Sequence, residues 1–113
     1  MAALTTNVVP LTGLRYDNLL APAAGGGDDC ATGAGVLLIV KNADTTPKTV
    51  TLAVPALVDG DLTISSRAVV VPNAAETAIP ITERYRNPST GRCAITYSAV
   101  TSVSVCVVRV ATS

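Results

Sequence analysis

The stretch Lys48-Thr-Val-Thr-Leu-Ala-Val54 decides the fold class. Val50, Leu52 and Val54 fall on one face, with Thr49, Thr51 and Ala53 on the other. This period of two belongs to a half-buried strand. Upstream, Gly35-Val-Leu-Leu-Ile-Val-Lys41 is apolar on both faces and reads as a strand covered on both sides. Asn42–Pro47, between them, is rich in Asn, Asp, Thr and Pro, so 35–41 and 48–54 are expected to pair as a hairpin. Working outward, Leu62–Ile64, Arg67–Val71 and Thr77–Ile81 read as short strands, the last at a sheet edge because it carries Pro80. Cys93–Ser98 and Val103–Ala111 read as a final hairpin, with Val103–Ala111 apolar on both faces and therefore central. No segment holds a 3.6 period long enough for a helix.

Towards the start, residues 1–12 read as an extended arm with a short strand at Thr6–Val9, stopped by Pro10. Such an arm is expected to be mobile in the isolated protein and ordered against a partner. Gly13–Leu20 reads as an irregular strand, and Ala21–Gly27 as a small-residue loop. The expected architecture is all-β: a single-domain β-sandwich, jelly-roll or Ig-like, of about eight short strands over 13–113, preceded by the N-terminal arm 1–12.

Composition narrows the function. The 113 residues contain no His, which removes Ser-His-Asp and Cys-His catalysis and every His-containing metal site. Eight basic residues balance eight acidic ones, so no strong positive field draws in nucleic acid. Only 14% of residues are charged, against about 25% typically, which favours a subunit whose surface partners cover. The start has no basic n-region, and the longest apolar run, Val36–Val40, is far short of the ~20 residues that span a bilayer. The expectation is a cytosolically made protein with no membrane partner, no cofactor, no metal and no enzymatic activity.

Candidate chemistry is sparse. Asp28-Asp29 and Asp59-Gly60-Asp61 are the acidic clusters, read as turn chemistry rather than calcium ligands. Gly25-Gly26-Gly27 lacks the Lys and helix of a phosphate loop. Cys30, Cys93 and Cys106 are read as buried free thiols; a Cys93–Cys106 cross-strand bridge is the alternative. Arg84, Arg86 and Arg92, with Tyr85 between them, form the one basic cluster, either a solvated loop or a contact loop. Leu4, Val8, Val9 and Leu11 make the arm apolar enough to bind.

The order of segments carries a resemblance. It runs through Leu11-Thr12-Gly13-Leu14, Gly26-Gly27-Asp28, Val40-Lys41-Asn42, Thr49-Val50-Thr51 and Val69–Pro72. It continues through Tyr85, Asn87 and Gly91, then Ile95–Val105, and closes on Val108–Val110. In this the chain resembles the small β-rich capsid decoration, or cement, proteins of long-tailed actinobacterial bacteriophages. The resemblance implies a virion structural protein, assembled in the host cytoplasm, on the outer capsid surface. Its implied partner is the major capsid protein, with self-association, for instance as a trimer at lattice threefold positions. Candidate contacts are Leu4, Val8, Val9, Leu11, Arg84, Tyr85, Arg86 and Arg92. The rival readings are a head–tail connector or tail subunit, and an extracellular adhesion or carbohydrate-binding module; the latter lacks Trp platforms and a visible leader.

Overall fold

A computed structural model describes residues 2–54, 57–58, 62–63, 66–88 and 90–110. Asp59-Gly60-Asp61, Ile64 and Ala111 lie outside the described residues. The strands are β1 (Ala2–Ala3), β2 (Thr6–Val9), β3 (Ala21–Pro22), β4 (Asp28–Cys30), β5 (Val36–Asn42) and β6 (Lys48–Leu52). They continue with β7 (Leu57–Val58), β8 (Leu62–Thr63), β9 (Arg67–Val71), β10 (Ala75–Pro80), β11 (Cys93–Tyr97) and β12 (Val103–Val110). Two 3-10 turns, Tyr16–Asn18 and Glu83–Tyr85, are the helical elements of the described chain, neither of them able to cross a membrane.

Two five-stranded sheets pack face to face as a β-sandwich. The first has the order β1-β4-β11-β6-β9; the second has the order β10-β5-β12-β2, with β3 beside the other half of the β12 edge. The shortest principal extent, 20 Å, matches two sheets about 10 Å apart plus their outward side chains. The inner faces supply the main core: Val50, Leu52, Val71, Cys93 and Ile95 from one sheet, Leu38, Val40, Ile79, Val105 and Val107 from the other. Branched aliphatic side chains fill it almost alone, as the scarcity of aromatics requires.

Both expected hairpins are corrected. β5 and β6 lie in different sheets, as do β11 and β12. The 42–47 segment is an arch between sheets, braced by its own polar side chains. Asn42, 1% exposed, donates from Nδ2 to the carbonyls of Thr46 (2.9 Å) and Val71 (3.2 Å) and accepts the Asp44 amide on Oδ1 (3.0 Å). Lys48 Nζ donates to Asp44 Oδ2 and Thr46 Oγ1, each at 2.8 Å. At the second arch, Ser98 Oγ accepts the Thr49 amide and Ser102 takes a positive φ of 57°.

Strands β5 and β12 are indeed central, and each is covered twice. Their outer faces carry Ile39, Cys106 and Val108. Residues 13–20, expected as a strand, instead form a cover whose Leu14, Tyr16, Leu19 and Leu20 seal that outer face. Tyr16 Oη fastens the cover by donating to Glu76 Oε2 at 3.2 Å. Pro80 does lie on an edge strand, β10.

The expectation of a free arm is also corrected, because the arm's backbone finds partners within its own chain. Ala2–Ala3 pairs in parallel with Asp28–Asp29 in the first sheet. The chain then crosses at Leu4–Thr5, and Thr6–Val9 pairs in parallel with Val107–Val110 in the second. The arm thus stitches the two sheets together along one side.

Candidate interaction surface

The crossing is held by a single side chain. Arg92, just before β11, donates from Nε to Asp29 Oδ1 at 2.6 Å. Its Nη2 donates to the carbonyls of Leu4 (2.9 Å) and Asp29 (3.2 Å). The Leu4 amide in turn donates to the Asp29 carbonyl at 2.8 Å. On the far side of the crossing, Asn7 Nδ2 reaches the Val107 carbonyl at 3.2 Å. Arg92 is therefore committed to the arm, and Leu4 packs against the main core.

Beyond the crossing, apolar groups face solvent. Val8 is 59% exposed, Leu11 98% and Val110 44%. Val8 stands opposite Arg109 and Val9 opposite Val110 in the β2–β12 register, and Leu11 follows two residues later. Three of the four exposed large hydrophobics of the described residues thus gather at one end of one sheet edge; the fourth, Val70, lies on the edge strand β9. Val9 faces the other way and packs against the outer-face cluster. Val110, opposite Val9, shares that outer face, so Val8 and Val110 project from opposite faces of the same sheet edge.

The 83–92 loop divides. Tyr85 is buried in the main core, whereas Arg84 and Arg86 are exposed. The loop closes on itself through the Asn87 amide to the Arg92 carbonyl (2.9 Å) and the Gly91 amide to the Asn87 carbonyl. Thr32 Oγ1 donates to Glu83 Oε1 at 2.9 Å, tying the loop to the segment after β4. Arg84, Tyr85, Arg67, Val69, Ile79 and Pro80 line an open groove of about 750 Å3 between the edge strands β9 and β10.

Asp28 and Asp29, expected in a turn, form strand β4, and its alternation separates them. Asp29 faces outward to Arg92. Asp28 is buried at 1% exposure, accepts Tyr97 Oη at 2.6 Å and the Ala24 amide at 3.3 Å on Oδ2, and leaves Oδ1 without a partner. Burial, and then the bond to Asp28, hold the Tyr97 phenol well above its usual pKa. This is a polar pin inside an apolar core. Among the described residues no three His, Cys, Asp or Glu side chains converge as a metal site would need.

The three thiols are free and buried. Cys106 lies on the outer face of the second sheet, where burial raises its pKa, while Cys93 lies on the inner face of the first. The Cys93–Cys106 alternative is therefore corrected: the pair sits in different sheets. Cys93 stands opposite Cys30 instead.

Compared with family models, curated proteins and solved structures, the chain matches none.

Proposed function

We propose that this chain is a phage virion structural protein: a capsid decoration protein that binds the outer surface of the major capsid lattice and stabilises it. The observation that carries this reading is the exposed apolar end of the β2–β12 edge, where Val8 projects from one face, Val110 from the other, and Leu11 follows β2. In the described chain β2 is the outermost strand there, so one side of its backbone is free to pair. An extended segment of a capsid subunit laid along that edge gains backbone hydrogen bonds, and its side chains cover Val8. Fully burying one such side chain contributes about 1.5–3 kcal/mol. That is a modest gain per site, multiplied when a self-associated decoration protein engages several subunits at once. The resemblance of the segment order to phage decoration proteins and the low charged fraction of the chain support the same reading. Arg84 and Arg86 provide a second, polar contact on the 83–92 loop.

The test is a Val8→Asp/Leu11→Asp variant, measured for melting temperature and for occupancy on particles stripped of the protein. Both side chains are exposed, so melting should stay within a few degrees of the parent. Occupancy should fall at least tenfold. Full occupancy by a normally folded variant would remove this edge as the contact. If the Arg84→Glu variant also retained full occupancy, the decoration reading would fall.

A further inference from the structure

We propose that Cys30 and Cys93 form a redox modification site, in which a hydroperoxide converts the two thiols into a disulfide joining β4 to β11.

The geometry comes from the register. Cys30 and Cys93 are directly opposed partners in the antiparallel β4–β11 pair. The carbonyl of Ala94 bonds to the Ala53 amide on the β6 side, and that of Asp29 bonds to the Leu4 amide on the arm side. Along a strand the backbone groups alternate in direction, so the preceding Cys93 and the following Cys30 aim theirs at each other. Theirs is a hydrogen-bonded pair, whose Cα atoms lie about 5.5 Å apart. Disulfides require about 4.4–6.8 Å, with their commonest spacing at about 5.5–6 Å. Both side chains point into the sandwich, and both residues are 0% exposed. The closeness of the two thiols raises the pKa of Cys30, with burial adding to it, and lowers that of Cys93, whose Sγ donates to the Ala94 carbonyl at 3.6 Å.

The chemistry closes without a third residue. Cys93 thiolate attacks one oxygen of the peroxide and breaks the O–O bond, giving a sulfenic acid and hydroxide. Cys30 sulfur then attacks Cys93 sulfur, expels the sulfenic hydroxyl and forms the S–S bond. The two thiol protons end on the departing oxygens. Two sulfurs lose one electron each, and with hydrogen peroxide as the oxidant one peroxide becomes two molecules of water. Access comes from β4 itself: it is three residues long and separated from solvent on its far side by the two-residue β1. Local opening of so short a strand admits a small oxidant without global unfolding. Cys106 has no opposed thiol: its register partner on β5 is Ile39.

The experiment treats purified full-length protein with hydrogen peroxide, then quenches, denatures and counts thiols, with peptide mapping under non-reducing conditions. Free thiols should fall from three per chain to one, with the mass reduced by two hydrogens and Cys30 linked to Cys93. The melting temperature should rise on the order of ten degrees and return on reduction. A Cys106→Ala variant should behave the same, whereas Cys93→Ala should form no intramolecular bridge. The wild-type peptide map decides the matter even if an alanine variant fails to fold. Three thiols persisting after treatment, oxidation stopping at sulfinic or sulfonic acid, or a bridge that includes Cys106 would each overturn the proposal.

Discussion

Replacing Arg92 with alanine should loosen the arm before it unfolds the sandwich. The guanidinium makes three hydrogen bonds across the point where the chain passes from one sheet to the other. The Arg92 and Asp29 side chains are 32% and 24% exposed, so the ion pair is partly screened and contributes about 0.5–1 kcal/mol. The Asp29 carbonyl keeps the Leu4 amide as a partner. The Leu4 carbonyl loses its charged donor, at a cost of about 1–2 kcal/mol. The sum is about 1.5–3 kcal/mol, which lowers the urea midpoint by roughly 1–2 M. The second readout is amide exchange. Protection at Leu4 and at β2 should fall well before protection at β5, since those amides depend on the crossing. Arg92→Lys should recover the ion pair but not the carbonyl bonds, and so land between the two. A midpoint shift under about 0.3 M, with Leu4 protection unchanged, would refute the claim that Arg92 holds the arm.

Gly27 has φ +97°, and a Cβ there would stand 2.7 Å from the Ile95 carbonyl oxygen, so Gly27→Ala should cost about 3 kcal/mol in urea unfolding. Gly13→Ala meets a similar φ but open space, and should cost only about 1–2 kcal/mol. Alkali should unfold the protein through Tyr97. Its folded pKa is raised above the unfolded value of about 10, so its contribution is complete below that pH and is lost as pH rises beyond it. Stability measured from pH 8 to 12 should therefore decline above about pH 10, and Tyr97→Phe should be less stable at pH 8 and show a shallower alkaline decline.

The elements were largely legible because alternation and β-branched residues report burial directly. Eight of the twelve described strands have three or more residues, and the doubly apolar 35–41 and 103–111 segments announced the central strands β5 and β12. The pairing was not legible. A six-residue link such as 42–47 serves equally as a hairpin loop or as an arch between sheets. What selects the arch is Asn42, whose buried amide joins the end of β5 to the Val71 carbonyl at the end of β9. Likewise, Arg92 looked like one of three loop arginines. Its partners at Leu4 and Asp29 lie 88 and 63 positions away, a distance that no local pattern encodes. Residues 13–20 read as an irregular strand because the target of Leu14, Tyr16, Leu19 and Leu20, an outer sheet face already complete in backbone pairing, is encoded elsewhere in the chain. Val8 and Leu11 were legible as contact candidates from apolarity alone; the buried position of Tyr85 was hidden, because a tyrosine between arginines reads the same whether its ring points in or out.

The stitching of the arm has a kinetic consequence. Thr6–Val9 is made early in synthesis, yet its pairing partner is Val107–Val110, and the Asn7 side chain bonds a carbonyl 100 residues further on. β5 likewise waits for β12 to fill the gap between it and β2. The second sheet therefore cannot close until synthesis has passed residue 110, and its loop-closure entropy must be met in one late event. Such a topology folds on the millisecond-to-second scale of other sandwiches. In that interval β2 and its apolar residues have no partner on their own chain, so any complementary edge nearby competes for them.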